Sequence, residues 1–190
     1  MTRFILFAFF FGNIVYCMAQ DSPNTNRKGM MFSFATGIAN SHQKFPNHRQ
    51  QNTDLALNWK IGYMVNPKLA LLLNGCVSIY DYSLSDRPRK RDFGGIFLSI
   101  QYHFSEKFWL LGGVGLGTDA MVFYDIKPDN EGELKFYTGV GCITSVGYEI
   151  YKRKNFVVDL QARLNYSNVN VSVGKLQGFN YSLLIGINFY

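Results

Sequence analysis

The chain ends in YSLLIGINFY, residues 181–190, and this stretch decides which kind of fold the sequence encodes. Its odd-numbered positions are all large and apolar, whereas the even-numbered ones include Ser182, Gly186 and Asn188. Alternation with a period of two is typical of a β-strand with one apolar face. Such a face meets either a protein core or a lipid bilayer, and the rest of the sequence decides between these two surroundings.

The composition excludes a helical membrane protein. Of the 190 residues, 47% are hydrophobic, 16% are aromatic and only 17% are charged. Beyond the N-terminus, however, no run reaches the roughly 18 consecutive apolar residues that a membrane helix needs. For a chain of this length we expect one domain.

The N-terminus, MTRFILFAFFFGNIVYCMAQ, has the pattern of a secretory signal peptide. Arg3 supplies a positive start, an apolar run follows, and Cys17 and Ala19 place small residues where signal peptidase requires them. We therefore predict a signal peptide at residues 1–19, with the mature domain at 20–190. The alternatives are an uncleaved anchor, for which the run is rather short, and a lipoprotein site at Cys17, which Tyr16 disfavours.

Eight alternating segments follow the signal peptide, each about 10 residues or longer, which is the length of a tilted strand that crosses a bilayer. They span residues 30–39, 54–65, 69–80, 94–104, 108–118, 133–150, 156–167 and 179–190. The connections alternate between long (41–53, 81–92, 119–132, 168–178) and short (66–68, 105–107, 151–155). A transmembrane barrel with both termini in the periplasm has long loops outside and tight turns inside.

The two faces of these segments differ in chemistry. One face is apolar and carries no Asp, Glu, Lys or Arg; the other is rich in Gly and Ser with a few charges. A soluble barrel of the lipocalin type would turn the apolar face inward and leave the glycine-rich face in water, where glycine weakens a strand. A narrow eight-stranded lumen, by contrast, has room for little more than small side chains. The sequence therefore predicts an all-β, eight-stranded antiparallel up-and-down transmembrane barrel.

Aromatic residues form two predicted bands, as expected for the girdles at the two membrane interfaces. One band lies next to the short turns and the C-terminus and contains Tyr63, Tyr102, Phe104, Phe108, Tyr148, Phe156 and Phe189. The other lies next to the long connections and contains Tyr80, Phe93, Phe136, Tyr166 and Phe179.

With these features the chain resembles the small outer-membrane β-barrel proteins of the OmpA and OmpX kind over essentially its whole mature length. The resemblance implies an integral protein of the outer membrane of a Gram-negative bacterium, in contact with membrane lipid and lipopolysaccharide. It also implies that Gly186, Phe189 and Tyr190 form the signal by which the barrel-assembly machinery recognises the last strand. The outward aromatic is penultimate here, whereas in the family it is terminal.

The inward face contains four charged residues, Lys60, Glu149, Asp159 and Arg163. An isolated charge in a poorly hydrated lumen is costly, so we expect these four to form one charge-compensated network. The same parity sends Cys76 into the lumen and Cys142 to the lipid, which predicts two free thiols.

No enzyme motif emerges clearly. His103-Phe104-Ser105 is similar to the His-x-Ser pair of outer-membrane lipid A deacylases, in which histidine activates serine. It lies beside a short turn, however, on the side opposite the outer leaflet, and His103 points into the lumen. His42 and His48 share a connection without a further ligand at metal spacing. We therefore predict no enzyme activity, no catalytic residue, no metal and no cofactor.

The predicted function is surface contact, adhesion or envelope integrity, exerted through the long loops. Within the second of these, Arg87, Arg89, Lys90 and Arg91 are expected to contact anions such as lipid phosphates, since arginine binds phosphate through two hydrogen bonds. Nucleic acid is not expected as a partner of an exported chain. The alternatives are a small pore, which the bulk of inward residues such as Phe97 and Trp109 disfavours, and a lipid A-modifying enzyme.

Overall fold

The computed structural model describes residues 27–82, 89–122, 135–172 and 174–190 and contains eight β-strands. They are β1 (Gly29–Lys44), β2 (Arg49–Asn66), β3 (Leu69–Tyr82), β4 (Arg89–His103), β5 (Phe108–Met121), β6 (Tyr137–Arg153), β7 (Phe156–Val171) and β8 (Gly174–Phe189). The predicted signal peptide at residues 1–19 lies outside the described residues. No helix in the described part of the chain is long and apolar enough to cross a membrane.

The strands form one closed antiparallel barrel in the order of the sequence. Each strand pairs with its sequence neighbours, and β1 closes the barrel against β8, from Phe32 opposite Phe189 to Lys44 opposite Gln177. The predicted fold is therefore confirmed. The three short connections, 67–68, 104–107 and 154–155, lie at one end of the barrel, which we call the turn rim. The connections that follow β1, β3, β5 and β7 lie at the opposite end, which we call the loop rim.

The distribution of side chains between the two faces matches the predicted parity. In β8, Tyr181, Leu183, Ile185, Ile187 and Phe189 are 38–65% exposed, whereas the even positions from Asn180 to Asn188 are buried. The last two residues follow the same alternation: Phe189 points outward, whereas Tyr190 points inward and is only 8% exposed. Ile79, which the same alternation places on the outer face of β3, is an exception because it is only 5% exposed.

Seven of the eight described strands are longer than the alternating segments indicated; β6, predicted over 133–150, spans Tyr137–Arg153. The strands contain 14–18 residues, against the roughly 9–11 that cross a bilayer. The first and seventh connections, predicted to be long loops over 41–53 and 168–178, are mostly paired strand, with Lys44 opposite Arg49 and Val171 opposite Gly174. Polar residues in these stretches still pair as strands because the sheet continues beyond the apolar belt.

In the aromatic band at the turn rim, Phe156 is half-buried and the other six residues are exposed, and several of the rings contact one another. Phe108 and Tyr148 have ring centroids 4.7 Å apart, and those of Phe156 and Phe189 are 5.5 Å apart. At the loop rim the prediction is partly wrong: Phe136 and Tyr166 are exposed, but Tyr80 and Phe93 are fully buried. Both of these lie on the inner face of their strands and fill the barrel.

Glycines on the inner wall make room for the largest rings. A β-carbon at Gly147 would collide with the ring of Trp109, and one at Gly178 would collide with that of Phe93. Each ring therefore lies flat against the backbone of another strand, so a narrow lumen accommodates whole aromatic side chains. Cys76 is buried, Cys142 is exposed, and both are free thiols.

Replacing Gly147 with Ala should destabilise the barrel by about 1–3 kcal/mol, because the added methyl group displaces the buried Trp109 ring. Gly112→Ala is the matched control, since nothing lies within 4 Å of a β-carbon built at that outward position. Urea unfolding in lipid vesicles would measure both. Equal stability of the two variants would contradict the packing described here.

Candidate functional site: the lumen and its two mouths

A cluster of charged and aromatic side chains fills the mouth at the turn rim. Glu149 accepts from Arg27 at 2.6 Å and from Lys152 at 2.9 Å, and His103 Nε2 lies 3.3 Å from its other carboxylate oxygen. The hydroxyl of Tyr190 lies 3.4 Å from His103 Nε2. We call these five residues the turn-rim plug. Arg27 precedes β1, where no periodic pattern could have indicated an inward position.

The next layer of the lumen combines a cation, a ring and a carboxylate. The ammonium of Lys60 lies 4.1 Å from the centroid of the Trp109 ring and donates to Gln101 at 3.0 Å. The indole N–H of Trp109 donates to Asp159 at 2.9 Å. Asn188 and Gln161 also donate to Asp159, at 2.9 and 2.8 Å. Lys60 and Asp159 are thus coupled through the indole, which stabilises both charges away from water.

Arg163 lies apart from the other three charges that the sequence grouped with it. Its guanidinium donates to the Leu57 carbonyl, Asn58, Ser78 and Ser182, all of them neutral acceptors. The prediction of one network of Lys60, Glu149, Asp159 and Arg163 is therefore corrected. All four point inward and are at most 2% exposed, and Glu149 lies directly opposite Asp159. Arg163, four positions further along β7 than Asp159, has partners of its own.

The mouth at the loop rim is filled by a second cluster. Phe45, Tyr80, Phe93, Val169 and Leu176 form a buried apolar group, against which Tyr82, Tyr137 and Val171 pack. Arg91 enters it and pairs with Asp119 at 3.1 Å, while the Tyr80 hydroxyl donates to the same carboxylate at 2.8 Å. We call Phe45, Tyr80, Arg91, Phe93, Asp119 and Leu176 the loop-rim plug.

This plug corrects the interpretation of the basic stretch in the second long connection. Arg91 is 6% exposed and lies with its guanidinium 5.5 Å from the Tyr82 ring and 5.4 Å from the Tyr137 ring. Lys90 forms ion pairs with Asp54 and Asp81. Arg89 begins β4 and is partly buried, and Arg87 lies outside the described residues. The four were expected to share an exposed loop, but the strand begins earlier and directs Arg91 inward.

A different set of cations is exposed at the loop rim. Lys44 and Arg49 face each other across the end of the β1–β2 hairpin, and Lys175 lies near the end of the β7–β8 hairpin; all three are exposed. The two hairpin ends approach each other closely, since a β-carbon at Gly174 would lie 2.8 Å from the Pro46 ring. We call Lys44, Arg49 and Lys175 the hairpin-tip cations. No Asp or Glu occurs at positions 40–53 or 166–180.

His103 and Ser105, the pair that is similar to an enzyme motif, have separate structural roles. His103 belongs to the turn-rim plug. The hydroxyl oxygen of Ser105 accepts from the backbone N–H groups of Lys107 and Phe108, at 3.3 and 3.0 Å, and so stabilises the turn. The described residues also contain no group of three or more His, Cys, Asp or Glu side chains positioned to hold a metal ion.

The three residues of the predicted assembly signal have distinct positions. Phe189 is 51% exposed and pairs with Phe32 and Phe156 on the neighbouring strands. Gly186 leaves space for the side chains of Asp159 and Gln161. Tyr190 points into the turn-rim plug. Their recognition by the assembly machinery stays a prediction.

Solved structures with a similar fold include those of two bacterial proteins. Neisserial surface protein A matches with a TM-score of 0.55 and 15% identity, covering 85% of this chain and 99% of its own. Ail, the attachment invasion locus protein of Yersinia pestis, in complex with the heparin analogue sucrose octasulfate, matches with a TM-score of 0.50, the same identity and the same coverage. No protein-family model and no curated protein matches the chain. Together with the apolar outer surface of the described strands, the fold identifies a membrane-spanning β-barrel.

Replacing Glu149 with Gln should lower the free energy of unfolding by about 3 kcal/mol, because Arg27 and Lys152 would lose their shared carboxylate in a mostly buried position. The control is Glu106→Gln, since Glu106 is exposed on the neighbouring turn and should change stability by less than about 0.5 kcal/mol. Tryptophan fluorescence during urea unfolding would report both values. A Glu149→Gln variant as stable as its control would show that the plug contributes no net ionic stabilisation.

Proposed function

We propose that the protein is a closed, non-enzymatic barrel of the outer membrane that acts through its loop rim in surface contact, adhesion or envelope integrity. The observation that supports this most strongly is that side chains of the barrel itself fill both mouths. At one end the turn-rim plug closes the lumen, and at the other end the loop-rim plug does. The surfaces left for interaction are the lipid-facing belt and the rims.

A pore is the alternative that this packing disfavours. Between the plugs, Phe97 and Trp109 are fully buried and Leu111 is 1% exposed, so apolar bulk occupies the axis of a barrel that is already narrow. Ion pairs, cation–π contacts and hydrogen bonds hold the charged side chains at both mouths in place. Opening a path would require several of these buried contacts to break at once.

An acyl-ester hydrolase is disfavoured for a different reason. A serine nucleophile needs its hydroxyl within hydrogen-bond reach of the base. His103 Nε2 is surrounded by Glu149, Gln101 and Tyr190, whereas the Ser105 oxygen is engaged by the turn backbone. This arrangement favours structural roles for both residues, and the proposal assigns the protein no catalytic residue.

For the loop rim we propose polyanions as the class of partner, namely phosphates of lipopolysaccharide or sulfated polysaccharide. The hairpin-tip cations support this choice, because three positive charges lie on two adjoining hairpins that carry no acidic residue in the stretches 40–53 and 166–180. Ail, which has a similar fold, was crystallised with a heparin analogue, so heparin is a suitable probe. The proposed anion-binding surface thus lies on the β1–β2 and β7–β8 hairpins, whereas the sequence placed it on the connection between β3 and β4.

Changing Lys44, Arg49 and Lys175 together to Gln should weaken heparin binding roughly tenfold at low salt, since each exposed charge contributes up to about 1 kcal/mol. Binding of the parent should also weaken as salt rises, because exposed charges are screened over about 8 Å at physiological ionic strength. Immobilised heparin and lipopolysaccharide, tested in parallel at several salt concentrations, would show which polyanion the surface prefers.

The matched control changes Lys68, Arg153 and Lys154 to Gln. These cations are exposed at the turn rim, so the control removes the same charge from the opposite end. It should bind heparin as the parent does. If the hairpin-tip variant binds both polyanions as tightly as the parent, or if the two triple variants lose binding equally, the proposed surface is wrong.

A further inference from the structure

One stretch of the inner wall is lined by polar side chains between the two plugs. Ser41 on β1 lies opposite Asn180 on β8, which lies opposite Asn165 on β7. On the same inward face, Arg163 is two positions from Asn165 toward the turn rim, and Gln43 is two positions from Ser41 toward the loop rim. Side chains directly opposite in neighbouring strands have β-carbons about 4.5–5.5 Å apart. These five side chains therefore form one polar strip along the inner wall, with Arg163 and Gln43 at its opposite ends, which we call the polar chamber.

Arg163 is the buried cation whose charge has no counterpart among the described residues. Arg27 and Lys152 share the carboxylate of Glu149, Arg91 pairs with Asp119, and Lys60 lies on the Trp109 ring. Arg163, 2% exposed, has only neutral acceptors for its two terminal nitrogens. Neutral acceptors satisfy its hydrogen bonds but leave a full charge in a poorly hydrated interior, where an uncompensated ion is strongly disfavoured.

The chamber also contains several buried polar atoms that have no hydrogen-bond partner among the described residues. They are Arg163 Nε, Ser41 Oγ, Asn180 Oδ1, and both polar side-chain atoms of Gln43 and of Asn165. Buried polar groups are nearly always paired, so their concentration in one patch indicates a molecule bound there. At the Arg163 end of the strip three donors are available to it: the Nε–H of Arg163, the amide of Asn165 and the hydroxyl of Ser41.

We propose that the polar chamber binds a small monovalent inorganic anion of the chloride class. The anion balances the charge of Arg163 and accepts hydrogen bonds from the unpaired donors around it. Water would satisfy the same hydrogen bonds but would leave the charge unbalanced. The single uncompensated charge favours a monovalent ion. This site is independent of the loop-rim surface and of the proposed function.

Bromide is the probe, because it resembles chloride and scatters X-rays anomalously. The protein is refolded and crystallised in sodium bromide, since the filled mouths make later exchange slow. An anomalous peak is expected inside the barrel, between Arg163, Asn165 and Ser41. No peak inside the barrel, in crystals whose outer surface does bind bromide, would overturn the proposal.

A solution measurement tests the same site without crystals. At constant ionic strength, replacing gluconate by bromide during refolding should raise the melting temperature of the parent by about 3–6 °C per tenfold rise in bromide above its dissociation constant. Arg163→Gln should abolish this increase, and Asn165→Leu, which keeps the charge, should reduce it. Arg27→Gln is the control, because Arg27 is paired with Glu149, and it should keep the full increase.

Each result is decisive. A melting temperature of the parent that does not respond to bromide would overturn the proposal, as would an equal response in Arg163→Gln. If Arg163→Gln does not fold, the parent is compared with Asn165→Leu. A smaller bromide response in Asn165→Leu supports the proposal and an equal response overturns it, since only an anion bound in the chamber makes the response depend on that amide.

Discussion

The structure depends on one constraint: within hydrocarbon, each backbone N–H and C=O group must be paired inside the protein. Eight strands meet this constraint by closing, with β1 paired to β8 over the whole height of the barrel. Closure leaves an outer wall that must suit lipid and a lumen too narrow for bulk water. The apolar residues therefore face outward, and the polar ones must find partners among themselves in the small space that is left.

The polar side chains in the lumen find their partners in a different way at each height along the barrel. Charges near the turn rim form ion pairs around Glu149, and those of the next layer are coupled through the indole of Trp109. Near the loop rim, Arg91 and Asp119 pair inside an aromatic cluster. Glycines opposite the large rings let the ring faces contact backbone, so bulk and charge fit in one narrow space. In the polar chamber, the charge of Arg163 has only neutral hydrogen-bond acceptors among the described side chains.

Periodicity was sufficient to predict the strands, their number, their antiparallel order and the face on which nearly every residue lies. The alternation in YSLLIGINFY, for example, separates Phe189 from Tyr190 correctly. It could not predict the partners, because a residue's face does not specify which side chains cross the lumen to meet it. Arg27 was missed because it precedes the first strand, and Arg91 was misplaced because polar residues at the loop rim concealed the continuation of β4.

The same limit explains the errors at the loop rim. Tyr80 and Phe93 were assigned to a lipid-facing band by their height along the strands, and height does not distinguish inside from outside. Residues 41–53 and 168–178 appeared as loops because they lack an apolar face, yet a strand that projects into water needs none. Hairpins in these two stretches bring Lys44, Arg49 and Lys175 together, although the sequence places them in distant connections.

The central claim is that the barrel is closed by its own side chains, and single-channel recording in planar bilayers tests it most directly. The refolded protein should insert without producing a steady open level across the physiological voltage range, at most giving brief and infrequent openings. A stable, reproducible conductance from monomeric protein would contradict the account, because it would require an open path through both the turn-rim plug and the loop-rim plug.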